Sequence, residues 1–206
     1  MRDYYHIKIN LPGGIASPGY LKDLLSAAWN ANVRKVRFGS RQQLLMTVHY
    51  EDMRFLESDF KKLGILYEVN TDRRPNIVSS YCGEEVFRTG QWLNASEYHS
   101  VLDSFDFEPG LKVNISDSNQ SFTPFFTGNL NFISSPEPHF WYLYVRLKQT
   151  NTVFRWDRLV YTNEIGRLSK VVEECMLDEG FNEESALKAA VNERIRYVFL
   201  PSAQEL

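Results

Sequence analysis

The sequence is poor in cysteine, with only Cys82 and Cys175 among its 206 residues. The two lie far apart and have no Cys-x-x-Cys or Cys/His partner, which argues against a zinc site and a disulfide framework. Long apolar runs are missing as well, since no stretch approaches the roughly 20 residues of a membrane span. The amino terminus lacks the apolar core of a secretion signal, so we predict a cytoplasmic protein with no membrane partner.

A large excess of charge is also absent. The 23 basic and 26 acidic residues give a formal charge of -3, which provides no global field to recruit nucleic acid or an anionic membrane. Any anion site must therefore be local, and no nucleic-acid partner is predicted. No Gly-x-Gly-x-x-Gly run, Walker-type loop or His-Glu-x-x-His is present, which argues against dinucleotide, P-loop and zinc-protease chemistry.

The first 72 residues carry the patterns of a small α+β domain. Ser17 and Pro18 form an N-cap and first-turn pair for a helix, and Gly64 closes a second helix. Gly39 lies in a predicted hairpin turn, where it is free to adopt a positive φ. The predicted strands are residues 5–11, 33–38, 42–50 and 65–69. With one helix after the first strand and one after the third, this order is the split βαβ of ferredoxin-like domains.

The pattern changes after residue 72, where a linker at residues 73–76 predicts a boundary between domains 1–72 and 73–206. The second domain is predicted to contain a mixed or antiparallel sheet with helices, which makes the whole chain α+β. Asn182 is a candidate helix cap. The predicted helices are 97–105, 164–177 and 182–199, and the predicted strands are 111–116, 130–134, 140–147 and 152–156. The third of these strands has aromatic residues on both faces, so we predict that it is central and covered on both sides.

Four short segments in collinear order resemble the nitrite and sulfite reductases. Lys8–Gly14 is similar to the Arg-x-Arg-Leu-Pro-Gly-Gly segment of that family, and Val36–Gln42 to its Arg-Leu-Thr-x-Arg-Gln hairpin. Pro75–Ser80 resembles the Arg-Asn-Val/Ile stretch after the ferredoxin-like half-domain, and Gly128–Ile133 resembles an Asn-Asp-Met-Asn-Phe segment. The resemblance spans roughly residues 5–135 and identifies the amino-terminal half of such a protein.

The resemblance implies an oxidoreductase that uses sirohaem and a 4Fe-4S cluster and takes electrons from a donor such as a ferredoxin or rubredoxin. It implies that Arg37 and Arg41 contact sirohaem, and that Lys8 and Lys112 contact the oxyanion substrate. The cluster needs four thiolates, and the family supplies them from a later half that is missing here. We therefore expect this chain alone to hold no metal and neither cofactor.

The residues themselves leave alternatives open. Arg37 and Arg41 lie four positions apart across a turn, so they can aim two guanidinium groups at one polyanion such as sirohaem. Both can equally lie on a solvated hairpin, and Lys8 can be an ordinary exposed strand lysine. For Cys82 we predict a buried structural cysteine rather than a reactive thiol.

Several family positions differ in this sequence. Gly39 replaces a threonine, Leu45 a glutamine that touches the macrocycle, and Pro75 the second substrate-binding arginine. These residues leave two hypotheses for the function of the chain. The first is the amino-terminal half of a reductase, completed by a missing carboxy-terminal half or by a second copy in a homodimer. The second is a non-catalytic relative that serves as a protein-interaction or small-anion-binding module.

Overall fold

Two β-sheets and six α-helices make up the α+β fold of the computed structural model, which describes residues 3–87 and 92–195. Each sheet has its own buried apolar cluster, one drawn from residues 7–65 and the other from residues 77–195. Within these described ranges, no helix is both long and apolar enough to cross a membrane.

The first sheet is antiparallel and has the strand order β2-β3-β1-β4. Its strands are β1 (Tyr4–Ile9), β2 (Val36–Phe38), β3 (Leu44–His49) and β4 (Glu68–Val69). Helices α1 (Pro18–Asn30) and α2 (Met53–Leu63) complete this part. Alternation along β1 and β3 buries one row of apolar side chains among these elements, because successive strand residues point to opposite faces. This is the predicted split βαβ order.

The helix boundaries of the first part follow the sequence signals. Ser17 Oγ accepts a hydrogen bond of 3.1 Å from the Tyr20 N–H at the start of α1. Gly64 ends α2 with a φ of 67°. Gly39 does not use its freedom to adopt a positive φ, because the positive φ of the hairpin turn, 57°, falls on Gln42. Two hydrogen bonds fix the Gln42 side chain to the backbone of Ser79, and they hold the residue in this conformation.

The second sheet is mixed. Its strands are β5 (Val78–Ser79), β6 (Val113–Ser116), β7 (Leu130–Ser134), β8 (Phe140–Arg146), β9 (Val153–Arg155) and β10 (Val160–Tyr161). The order is β10-β8-β7-β6-β5, with β9 also pairing with β8. Only β5, β6 and β7 run parallel to one another. The helices are α3 (Tyr81–Phe87), α4 (Ala95–Asp103), α5 (Ile165–Glu173), which continues as a π-helical segment (Glu174–Asp178), and α6 (Glu184–Arg194).

The structure corrects two predictions for the second part. Strand β8 is central, but only its Trp141 face is fully buried, while Tyr142 on the other face is partly exposed. Asn182 does not cap α6, because its side chain donates to the Gly180 carbonyl instead. Residues 196–199 of the predicted last helix lie outside the described residues. The sequence analysis missed α3, β5 and β10, which are too short to show a clear period.

Gly166 in α5 tests the contact between this helix and the end of α4. A Cβ at Gly166 would lie 2.0 Å from the Ser104 carbonyl oxygen, so Gly166→Ala must push backbone apart. We expect a loss of about 1–3 kcal/mol of unfolding free energy, the usual cost of overpacking, measured by urea unfolding. Gly19→Ala in α1 is the control, because a Cβ there meets nothing within 4 Å. A loss in the control as large as in Gly166→Ala would contradict this account.

Candidate functional site

The four segments that resemble the reductases converge where the two sheets meet. The Gly13 N–H donates to the Ile77 carbonyl at 2.9 Å, and Ser79 Oγ donates to the Gly13 carbonyl at 2.6 Å. Asn114 Nδ2 donates to Asn131 Oδ1 at 3.1 Å in the second sheet. We call this region the junction and define it by Gly13, Arg41, Gln42, Asn76, Ser79 and Asn114.

Arg41 connects the two sheets at the junction. Its Nη2 donates to the carbonyls of Asn76 at 2.8 Å and Val113 at 3.0 Å, and its Nη1 donates to Asn114 Oδ1 at 3.2 Å. Burial lowers the pKa of Arg41 to about 10, against an opposing effect of Asp72. The side chain therefore stays charged at neutral pH. Its terminal nitrogens donate to the chain itself.

Asn76 and Gln42 complete the junction. Asn76 is 3% exposed and its Nδ2 donates to the carbonyls of Leu11 at 2.7 Å and Arg41 at 2.9 Å. Gln42 forms a two-way pair with the backbone of Ser79, accepting at 2.9 Å and donating at 2.7 Å. Both side chains thus satisfy backbone groups that lie between the sheets, as buried peptide groups require.

Lys8 is buried rather than exposed, with 6% of its surface accessible. Its Nζ forms ion pairs with Glu68 and Asp72 and donates to the Arg74 carbonyl at 2.8 Å. Burial acts to raise the pKa of Glu68. Hydrogen bonds from Lys8, from the Arg73 N–H and from Thr71 outweigh it and keep that pKa below its ordinary value. The charge of Lys8 is therefore already balanced by two carboxylates.

Arg37 and Lys112 have different surroundings from Lys8 and Arg41. Both are exposed, and neither side chain has an ion pair or a hydrogen bond within residues 3–87 and 92–195. Arg37 lies on the edge strand β2, whereas Lys112 immediately precedes β6 and its backbone N–H donates to Asn129 Oδ1. Lys8 and Arg37 lie on the same face of the first sheet, because both pair with Leu45 of β3. Asp72 is a charged neighbour of both Lys8 and Arg41.

A cleft of about 950 Å³ lies between the two parts of the chain. Lys8 lies in its wall, and an Arg74–Glu108 ion pair joins the two parts beside it. Burial raises the pKa of Tyr20, another wall residue. The charged wall residues are three cations and three carboxylates, namely Lys8, Arg73, Arg74, Glu68, Asp106 and Glu108.

Neither cysteine lies in the wall of this cleft. Cys82 is exposed in the first turn of α3, so the prediction of a buried structural cysteine was wrong. Cys175 is buried, and burial raises the pKa of its thiol. In the part of the chain that the structure describes, no group of three or more His, Cys, Asp or Glu side chains could hold a metal ion.

The sequence analysis did not identify the residues that form ion pairs or hydrogen bonds with Lys8 and Arg41. Glu68 and Asp72 follow no catalytic pattern, and the second of them belongs to a loop without periodicity. Asn76 falls within a segment that resembles the reductases, but nothing in that segment indicated a structural amide. The only available signal was the unusual concentration of Asn and Arg around residues 70–76.

The two sheets and their helices have the α+β fold of a nitrite/sulfite reductase family protein. One solved structure with this likeness is the NirA protein of Mycobacterium tuberculosis, with a TM-score of 0.60 and 14% sequence identity over 91% of this chain. The chain spans 36% of the length of the NirA chain. No protein-family model and no curated protein sequence matches it. At this identity, the likeness concerns the fold alone.

The role of Arg41 can be tested by comparing Arg41→Ala with Arg37→Ala. Removing Arg41 leaves the carbonyls of Asn76 and Val113 without this donor between the sheets, so we expect a loss of about 2–3 kcal/mol of unfolding free energy. Arg37→Ala should change it by less than about 0.5 kcal/mol, because Arg37 is exposed. Urea unfolding followed by circular dichroism measures both. Equal losses in the two variants would exclude a special structural role for Arg41.

The Lys8–Glu68 ion pair predicts a pH dependence of stability. Because the pKa of Glu68 is lowered by folding from 4.5, its contribution is present above about pH 4.5 and is lost as the pH falls through the folded value. Lys8→Met removes the charge but keeps the apolar stem, so the fall in unfolding free energy on acidification should become shallower. Lys112→Met is the control and should keep the wild-type profile. Urea unfolding between pH 3 and 7 distinguishes the two profiles.

Proposed function

We propose that this chain is a non-catalytic relative of the nitrite/sulfite reductases that acts as a small-ligand-binding module. One observation carries the proposal. Lys8 and Arg41, two of the four cations predicted to face cofactor or substrate, already use their charges and donors inside the chain. A site that binds and reduces an oxyanion needs several converging cationic donors aimed at the anion. Here these two are committed to carboxylates and backbone carbonyls.

The surroundings of the cleft support the same proposal. Its charged wall residues balance, so the cleft offers no net attraction to an anion. Leu45 and Pro75 stand where the family resemblance expects a macrocycle-contacting glutamine and a substrate-binding arginine, and neither can donate a side-chain hydrogen bond. A cleft of this volume is large enough for a small organic molecule.

The second candidate is the amino-terminal half of a working oxidoreductase. The observation in its favour is that the fold matches 36% of the NirA chain, so the larger part of NirA has no counterpart in this sequence. In this candidate, a carboxy-terminal portion or a second copy in a homodimer would add to the site, and a ferredoxin or rubredoxin would supply electrons. Arg37 and Lys112 remain free to reach a sirohaem held there, with a 4Fe-4S cluster on the other portion.

Titration of the purified chain with sirohaem, followed by absorbance, tests the proposal. We expect no saturable spectral change, because only Arg37 and Lys112 of the four predicted cations are free to meet the sirohaem carboxylates. Saturable binding that weakens at least tenfold in Arg37→Ala, with wild-type stability, would overturn the proposal and favour the reductase half. Glu51→Ala, an exposed substitution outside the junction and the cleft, is the control for nonspecific effects.

A further inference from the structure

The outer side of strand β8 carries a row of aromatic side chains. Trp141 points into the buried cluster of the second sheet, whereas Phe140, Tyr142 and Tyr144 lie on the opposite face and are each partly exposed. Alternate residues of a strand lie roughly 7 Å apart, so the three rings follow one another at a regular spacing. The second sheet therefore has an aromatic surface on the face opposite its buried cluster.

Two more rings widen this surface. Phe126 lies with its ring centroid 5.0 Å from that of Tyr144, and Tyr161 of β10 lies 5.4 Å from Phe140. The ring planes of these pairs are inclined by 68° and 55°, near the edge-to-face arrangement that aromatic pairs prefer. These contacts hold the outer rings of the row, Phe140 and Tyr144, in defined positions.

Two arginines border the row of rings. Arg146 follows Tyr144 on the same side of β8, and Arg155 of β9 lies opposite Tyr144 in the strand register. The Arg155 guanidinium lies over the Tyr142 ring, 5.5 Å from its centroid. Within residues 3–87 and 92–195, neither guanidinium forms an ion pair or a hydrogen bond. We call this surface the aromatic face and define it by Phe140, Tyr142, Tyr144, Arg146 and Arg155.

The aromatic face is cationic in a chain that carries a net negative charge. Strands β6 to β10 contain no Asp or Glu, whereas the whole chain has a formal charge of -3. Asp157, which follows β9, forms an ion pair with Lys188 of α6. The net charge of the chain therefore does not describe the field at this face, where an anion meets two unshared cations.

Rings and free guanidinium groups together select the ligand. A purely apolar ligand would leave the arginines unused, and a small inorganic anion would leave the rings unused. Nucleobases stack on aromatic side chains, and arginine binds phosphate through paired N–H donors. Single-stranded nucleic acid offers both groups in every repeating unit, and its bases, unlike those of a duplex, can be splayed onto a protein surface.

We propose that the aromatic face binds single-stranded nucleic acid. Bases stack on the rings along β8, and Arg146 and Arg155 contact the phosphates beside them. None of the residues that define this face lines the cleft, so the inference goes beyond the proposed function and does not depend on it.

Fluorescence anisotropy of a labelled oligothymidylate tests the inference, with an abasic oligomer of the same length and the matching duplex as comparison probes. We expect saturable binding at low salt, at least fivefold tighter than binding of the abasic oligomer, which keeps the phosphates but has no bases to stack. The duplex should also bind more weakly. No saturable binding of the oligothymidylate, or equally tight binding of either comparison probe, would overturn the inference.

Arg155→Gln tests the phosphate contact. Arg155 is exposed, so its loss should leave the fold intact, weaken oligothymidylate binding and lower the slope of log Kd against log salt by about 0.7, the value for one phosphate contact on a single strand. Arg54→Gln is the matched control, because Arg54 is an exposed arginine that lies over the Phe55 ring in the first part of the chain. An unchanged slope in Arg155→Gln, or an equal change in both variants, would overturn the assignment.

Tyr144→Leu tests the stacking, because it removes a ring and keeps an apolar side chain. We expect oligothymidylate binding to weaken at least fivefold and abasic-oligomer binding to stay unchanged, whereas a merely structural role would weaken both alike. Tyr4→Leu, at an exposed tyrosine of the first sheet, is the control. Unchanged oligothymidylate affinity in a Tyr144→Leu chain with wild-type urea unfolding would overturn the inference. If Tyr144→Leu lowers stability, Arg155→Gln decides.

Discussion

The structure depends on a single buried guanidinium at the contact between its two sheets. Arg41 leaves the hairpin of the first sheet and donates to carbonyls at Asn76 and Val113. Burying this charge is costly, as its lowered pKa shows, and three oxygen acceptors offset the cost. Because each sheet has its own apolar cluster, the polar junction rather than one continuous core sets how the two sheets meet at this point.

Charges in the wall of the neighbouring cleft are likewise satisfied within the chain. Lys8 of β1 lies in the cleft wall, and ion pairs with Glu68 and Asp72 neutralise its charge. A buried charge that has lost its partners would destabilise the fold strongly, so the lysine cannot readily be released to an incoming anion. Lys8 thus links β1 to β4 and to the loop that follows β4.

The cleft that remains differs from an oxyanion site in the charge of its wall. An oxyanion site presents several converging cationic donors, whereas this wall carries three cations and three carboxylates. An anion therefore gains no net attraction from it. The fold shared with NirA is compatible with either, because function resides in the side chains of a site and not in the fold.

The sequence by itself determined the local elements, because periodicity, caps and turn residues act within a few positions. The ferredoxin-like order of the first 72 residues, the Ser17 cap and the stop at Gly64 follow from such signals. Short elements such as β10 were beyond this reasoning, since two residues show no period. Only the tertiary structure decided that Arg41 bridges the two sheets and that Lys8 is ion-paired, because their partners lie over 30 residues away in the chain. The state of a charge depends on all its neighbours in space.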